Sequence, residues 1–141
     1  MPDDVIFNKA AIIDRCLQRI DEEYADNHAN LENYTKQDSI ILNIQRACEA
    51  CIDLAMHLVA VKALGIPQTS RDAFDLLAAN SFIDHQLATK LKAMVGFRNI
   101  AVHNYQVLDL GVIQGIIENN LQDILDFGRL MLGSREQISS L

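Results

Sequence analysis

Residues that interrupt regular secondary structure are scarce in this sequence. It contains 6 glycines and 2 prolines, at Pro2 and Pro67, and it has no tryptophan. Because glycine and proline break helices and aromatic residues are enriched in strands, this composition favours long helices over sheets. The 141 residues, half of them hydrophobic and 22% charged, suit one folded domain. The sequence therefore predicts a single all-α domain.

Signals for export and for oxidative cross-linking are also missing. The three cysteines, Cys16, Cys48 and Cys51, are odd in number and irregular in spacing, so they form no disulfide framework. Residues 1–4 lack the basic and apolar segments of a secretory signal. No run approaches the 18 or so uncharged apolar residues of a membrane helix. We therefore expect a cytoplasmic protein with reduced thiols and no membrane contact.

Positive charge is in deficit, with 12 Lys and Arg against 19 Asp and Glu and a net charge of −7. This balance argues against a protein that coats nucleic acid, because phosphate binding normally needs a broad basic surface. An acidic enzyme can still act on RNA if its positive charge is concentrated in one groove. The acidic surface could equally serve a partner with a basic face.

Apolar residues that recur at steps of three and four predict five helices. The first runs from about residue 4 to residue 24, and the polar stretch 26–33 is expected to be a loop. The second is predicted to start with Thr35 as its N-cap and to end before Gly65 and Pro67. It is therefore nearly 30 residues long, or roughly 40 Å.

Cap and stop residues define the remaining three helices. Ser70 is predicted to cap a short third helix that Asn80 closes, and a fourth helix starts near Asp84. A fifth helix is predicted between Asp109 as its cap and Gly133 as its stop.

The predicted connections are short, which favours an antiparallel bundle of about five helices. The predicted domain covers residues 1–133, and residues 134–141 are expected to form a C-terminal tail.

The apolar stripe of the fourth helix contains an arginine, Arg98, between Val95 and Val102. A guanidinium group in apolar surroundings is costly unless a carboxylate pairs with it or an anionic ligand does so. Its planar shape suits a phosphate, which it can hold through two parallel hydrogen bonds.

His103 follows Arg98 by five residues, about 140° around a helix, so the two side chains would straddle a groove. Asn99 lies one turn before His103 and could orient its imidazole. Tyr105 would share a line with Arg98 if the helix continued that far. Arginine for charge and histidine for proton transfer suit RNA cleavage, with the ribose 2′-hydroxyl as nucleophile. Such pairs are more often structural, so spacing alone leaves both interpretations open.

Arg98, Asn99 and His103 match the motif of the HEPN superfamily: arginine, a polar residue, three variable positions, then histidine. The longer pattern that adds Tyr105 resembles the HepT branch of that superfamily. Residues 45–53 resemble the second helix of HepT-like proteins.

The resemblance continues into the third helix. Residues 64–67 and 70–72 are similar to the turn that leads into the third helix of HepT-like proteins. In all, the similarity spans about residues 5–130.

This resemblance implies a homodimer whose two motifs face each other and cleave RNA without a metal ion or cofactor. It implies a toxin of a type VII-like toxin–antitoxin pair, with an MNT nucleotidyltransferase as antitoxin and no DNA target. Arg98 and His103 would be catalytic, and Asn99 would support His103. Tyr105 would accept AMP, which would then occupy the phosphate site on Arg98 and exclude RNA.

Two alternatives to catalysis remain open at this stage. The chain could be a non-catalytic partner of its nucleotidyltransferase, with Arg98 holding a nucleotide phosphate. It could also be a purely structural helical dimer, in which Arg98 has only a packing role.

The second helix carries further candidates. Arg46, Glu49 and Asp53 share one face, which is either a solvated, ion-paired surface or the place where Glu49 or Asp53 anchors the motif arginine or lines the dimer cleft. Cys48 and Cys51 have the spacing of half a zinc site. Both fall on the apolar stripe, so we expect them to be buried apolar residues and not ligands.

Overall fold

The computed structural model describes the backbone of residues 2–104 and 110–139, and the side chains of residues 4–98 and 110–133. Within these ranges all regular secondary structure is helical, which confirms the all-α prediction. The helices are α1 (Pro2–Tyr24), α2 (Tyr34–Val61), α3 (Ser70–Ala79), α4 (His85–Asn104), α5 (Leu110–Gly115) and α6 (Leu121–Ser139). A π-helical turn, Ile116–Asn120, joins α5 to α6, so that these two make up the predicted fifth helix.

The long helices α1 and α2 pack against each other as an antiparallel pair. Their register is marked by an ion pair at 3.1 Å between Lys9 Nζ of α1 and Asp53 Oδ2 of α2. The predicted loop between them contains a short 3-10 helix, His28–Glu32, whose Leu31 side chain is buried. Burial of Leu31 explains why this polar stretch adopts regular structure.

Two predicted N-caps are displaced along the sequence. The N-cap of α2 is Asn33, not Thr35, and its side chain accepts a hydrogen bond from the backbone N–H of Lys36. Thr69, not Ser70, caps α3 and forms a reciprocal capping box with Asp72. Asn, Ser and Thr are all favoured caps, so neighbouring candidates compete and the tertiary structure selects among them.

The other helix ends near the site agree with the predictions. Helix α2 ends at Val61, before Gly65, where left-handed backbone at Ala63 and Gly65 turns the chain away. Asn80 is the C-cap of α3. Asp84 precedes α4 and its Oδ1 accepts a hydrogen bond from the backbone N–H of Leu87 at 2.7 Å.

The predicted stop at Gly133 is wrong, because α6 continues to Ser139. One glycine costs a helix only about 1 kcal/mol, and the Arg, Glu and Gln that follow are good helix formers. Asp109, the predicted cap of the fifth helix, lies outside the described residues.

The core is built mainly from the facing sides of α1, α2, α4 and α6. Phe74 of α3 and Phe127 of α6 are both buried, and their rings meet edge to face with centroids 5.7 Å apart. Because α4 packs on α2, the end of α4 that carries the motif lies beside the middle of α2. In the described ranges, no helix is both long and apolar enough to cross a membrane.

Tyr24 ties the π-helical turn to the end of α1. Its hydroxyl donates a hydrogen bond to Glu118 Oε1 at 2.8 Å. Burial, followed by this hydrogen bond and the negative charge of Glu118, raises the pKa of Tyr24 to about 12. The phenol therefore stays protonated and keeps its donor role through neutral pH.

Candidate functional site

Arg98 lies at the edge of the hydrophobic core. Leu91, Met94 and Val95, one to two turns earlier on α4, are buried, whereas the Arg98 side chain keeps 24% of its surface exposed. The arginine therefore continues the apolar stripe of α4 as the sequence predicts. It is half-buried, so its charge is partly desolvated but still accessible to a ligand.

A carboxylate of α2 contacts Arg98. The distance from Arg98 Nη1 to Glu49 Oε1 is 3.3 Å, and the Glu49 side chain is 50% exposed. Of the two acidic candidates on this face of α2, Glu49 thus pairs with the motif arginine, while Asp53 pairs with Lys9. A contact of this length to a half-exposed carboxylate can be exchanged for a phosphate, unlike a dry buried ion pair.

The contribution of the Arg98–Glu49 contact to stability can be measured with Glu49→Gln. We expect this variant to change the free energy of unfolding in urea by less than about 1 kcal/mol, as for other exposed ion pairs. Asp53→Asn is a matched control, since it breaks the Lys9 pair, whose acidic partner is equally exposed. A loss of several kcal/mol in Glu49→Gln alone would instead identify Glu49 as a permanent structural partner of Arg98.

The thiols near the arginine remain protonated. Burial raises the pKa of Cys48 to about 12, and the nearby charge of Arg98 offsets only part of that rise. Burial also raises the pKa of Cys51 well above its usual value. Both cysteines are buried in the core, as the sequence predicts. The described side chains contain no group of three or more His, Cys, Asp or Glu that could hold a metal ion.

The other motif residues are placed only in part. Asn99 and His103 belong to α4, which runs to Asn104, but their side chains lie outside the described residues, as does all of Tyr105. Five residues of helix separate Arg98 from His103, which corresponds to about 7.5 Å along the axis. The roles predicted for Asn99, His103 and Tyr105 therefore stay predictions.

An apolar groove between α1 and α2 lies beside Glu49, the residue that pairs with Arg98, and the sequence patterns did not reveal it. Its volume is about 360 Å³, and Glu49 is one of its lining residues. Ile12 of α1 and Leu42 of α2 remain 39% and 43% exposed in it. The shared face of Arg46, Glu49 and Asp53 was visible in the sequence, but only the packing of α1 shows what lies opposite.

Comparison with known proteins agrees with this geometry. The family model described as "Ribonuclease HepT-like" matches residues 13–131. The mRNA nuclease HepT of Shewanella oneidensis is 50% identical over 124 residues, which cover 88% of this chain and 93% of that protein.

Two solved structures are similar along nearly their whole length. The first is a toxin–antitoxin complex with AMP-PNP, which matches with a TM-score of 0.86 and 48% sequence identity. The match covers 91% of this chain and 97% of that chain. The second is the tri-AMPylated Shewanella oneidensis HEPN toxin in complex with MNT antitoxin, which matches with a TM-score of 0.85 and 47% sequence identity. The match covers 91% of this chain and 96% of that chain. The motif around Arg98, the helical bundle and these matches agree, and the chain belongs to the HepT-like family.

Proposed function

We propose that this chain is an RNA-cleaving toxin, a metal-independent endoribonuclease of a type VII-like toxin–antitoxin pair. The observation that carries the proposal is the half-buried Arg98, held by an exchangeable contact to Glu49 and followed on the same helix by His103. A relative that is 50% identical is an mRNA nuclease, which supports RNA as the substrate.

The reaction we propose uses the RNA's own 2′-hydroxyl. Its oxygen attacks the adjacent phosphorus while the bond from phosphorus to the 5′-oxygen of the next nucleotide breaks. The products are a 2′,3′-cyclic phosphate and a 5′-hydroxyl. Because the nucleophile is internal, this route needs no metal ion and no added reactant.

The motif residues have separate roles in this step. Arg98 binds the phosphate and stabilises the negative charge that builds on its non-bridging oxygens. His103 takes the proton from the 2′-hydroxyl or supplies one to the leaving oxygen. Asn99, one turn before His103 on α4, orients the imidazole.

We further propose a homodimer, in which the two motifs face each other in one cleft, and a location in the cytoplasm. Burial at a two-fold interface accounts for an arginine within the apolar stripe of α4. An MNT-type nucleotidyltransferase would act as antitoxin by transferring AMP to Tyr105. The structural relatives in complex with an antitoxin support this assignment.

Expression in a bacterial host tests the toxin proposal. Induction of the chain alone should stop growth and deplete cellular mRNA, whereas co-expression with an MNT-type nucleotidyltransferase antitoxin should restore both. His103→Ala, produced at an equal level, should neither stop growth nor deplete mRNA. Growth arrest by His103→Ala equal to that of the wild type would contradict an RNA-cleaving role for the motif.

A further inference from the structure

A second groove between α1 and α2 is rich in positive charge. Its volume is about 470 Å³, and it lies further along the same helix pair than the apolar groove beside Glu49. The side chains that matter here are Arg15 and Arg19 of α1 and Arg46 of α2. Three of the chain's 12 basic residues therefore line one concavity together with a single acidic residue, Glu22, although the net charge is −7.

Two of these arginines lie opposite each other. The Lys9–Asp53 ion pair sets the register of the antiparallel helices. Arg15 follows Lys9 by six residues on α1, and Arg46 precedes Asp53 by seven residues on α2. Because the helices are antiparallel, both arginines lie at a similar distance from the Lys9–Asp53 pair. Both guanidinium groups are close enough to Cys16 to oppose the rise that burial imposes on its thiol pKa. The geometry thus places two exposed cations on facing sides of one groove.

The two arginines differ from Arg19 in their contacts. Arg19 is paired with Glu22 at 3.1 Å and with Glu23 at 2.9 Å. Within the part of the chain that the structure describes, neither Arg15 nor Arg46 forms an ion pair or a side-chain hydrogen bond. Like charges that face each other repel, and an anion bound between them removes that repulsion.

The groove adjoins, through Arg46, the apolar groove that Glu49 lines. Arg46 lines both grooves, and Glu49, the partner of Arg98, follows it by one turn of α2, or about 5 Å. An extended polyanion that places one phosphate on Arg98 can therefore reach Arg15 and Arg46 with another. Single-stranded RNA has this repeated charge, and guanidinium groups suit phosphate.

We propose that Arg15 and Arg46 form a phosphate-binding subsite for the RNA substrate, at a nucleotide beyond the bond that is cleaved. The inference rests on the proposed function, because it takes RNA as the ligand of Arg98. It gives an acidic protein a local site for RNA, because two exposed arginines face each other across the α1–α2 groove.

Salt-dependent binding tests the subsite. The probe is a 20-nucleotide single-stranded RNA with 2′-O-methyl groups, which lacks the attacking hydroxyl and stays intact on the wild-type chain. Binding is measured by fluorescence anisotropy from 50 to 300 mM salt. The double variant Arg15→Gln with Arg46→Gln should lower the salt slope by about 0.7, since it removes one phosphate contact and each such contact contributes about 0.7 for single strands. Its affinity at 50 mM salt should fall on the order of tenfold.

Two further variants sharpen the measurement. Arg129→Gln removes an exposed arginine of α6 that lies outside the groove, and it should keep the wild-type slope and affinity. Arg46→Glu supplies Arg15 with a carboxylate across the groove, so it should bind the RNA more weakly than Arg46→Gln. Thermal unfolding of each variant verifies that these exposed substitutions leave the fold intact.

The outcomes separate this inference from the proposed function. If the double variant keeps the wild-type slope while the wild-type chain cleaves RNA, the subsite is wrong and the proposed function stands. If the double variant loses affinity for an antitoxin but not for RNA, the groove is a protein interface and the subsite is again wrong. If the wild-type chain neither binds nor cleaves RNA, both proposals fail.

Discussion

Replacing His103 with alanine should lower the rate of RNA cleavage by about 10²- to 10⁴-fold, the usual contribution of a general acid or base. Arg98→Ala should lower it by on the order of 10²- to 10³-fold, because the developing phosphorane charge would lose the cation that stabilises it. The measurement is single-turnover cleavage of a defined RNA by purified protein. Arg98→Ala should remain folded, since Arg98 is only half-buried and its contact to Glu49 is exchangeable. Thermal unfolding of His103→Ala checks the same for that variant.

The loss must be specific to the motif for this prediction to hold. Arg98→Lys keeps the positive charge but cannot hold a phosphate through two parallel hydrogen bonds, so it should recover part of the activity that Arg98→Ala loses. Arg129→Ala, an exposed arginine on α6, is the matched control and should cleave like the wild type. Wild-type rates in either His103→Ala or Arg98→Ala would show that the catalytic assignment is wrong.

AMP transfer to Tyr105 should abolish RNA cleavage. Because Tyr105 is predicted to share a line with Arg98, a phosphate attached to it should occupy the site that the RNA phosphate needs and repel it. The intact mass of the chain, after incubation with ATP, Mg²⁺ and the nucleotidyltransferase, should rise in steps of about 329 Da, one for each adenylyl group. The same sample should lose its ribonuclease activity as the unmodified mass disappears.

Tyrosine variants identify the acceptor. Tyr105→Phe should show no mass increase, whereas Tyr34→Phe should still be modified. Tyr34 is 79% exposed, so it serves as the control for an accessible phenol that is not the acceptor. Transfer that persists in Tyr105→Phe, or modified protein that still cleaves RNA, would contradict this account of neutralisation.

The sequence predicted most of the fold because its apolar residues recur at helical spacing over long stretches. The helix ends were less predictable where two good caps stand close together, as with Asn33 and Thr35 or Thr69 and Ser70. Glycine often follows a helix, so the sequence predicts a stop at Gly133. The backbone nevertheless continues to Ser139, since a single glycine is a weak breaker in a chain of good helix formers.

The candidate site was predictable from the sequence to about the same extent as the fold. An arginine within an apolar stripe indicated that Arg98 needs an anionic partner, and the sequence offered Glu49 and Asp53 on one face of α2. The choice between them depends on which helix packs beside each, with α4 next to Glu49 and α1 next to Asp53. The opposition of Arg15 and Arg46 likewise requires the register of α1 against α2, which no local pattern contains.

Cleavage of a defined RNA by the purified wild-type chain in excess EDTA is the decisive measurement. We expect cleavage to persist without metal, to leave 2′,3′-cyclic phosphate and 5′-hydroxyl ends, and to disappear in His103→Ala. A wild-type chain that binds nucleotides or its antitoxin but leaves RNA intact, in EDTA and with Mg²⁺ alike, would contradict the proposed function. Such a chain would be a non-catalytic partner of its nucleotidyltransferase.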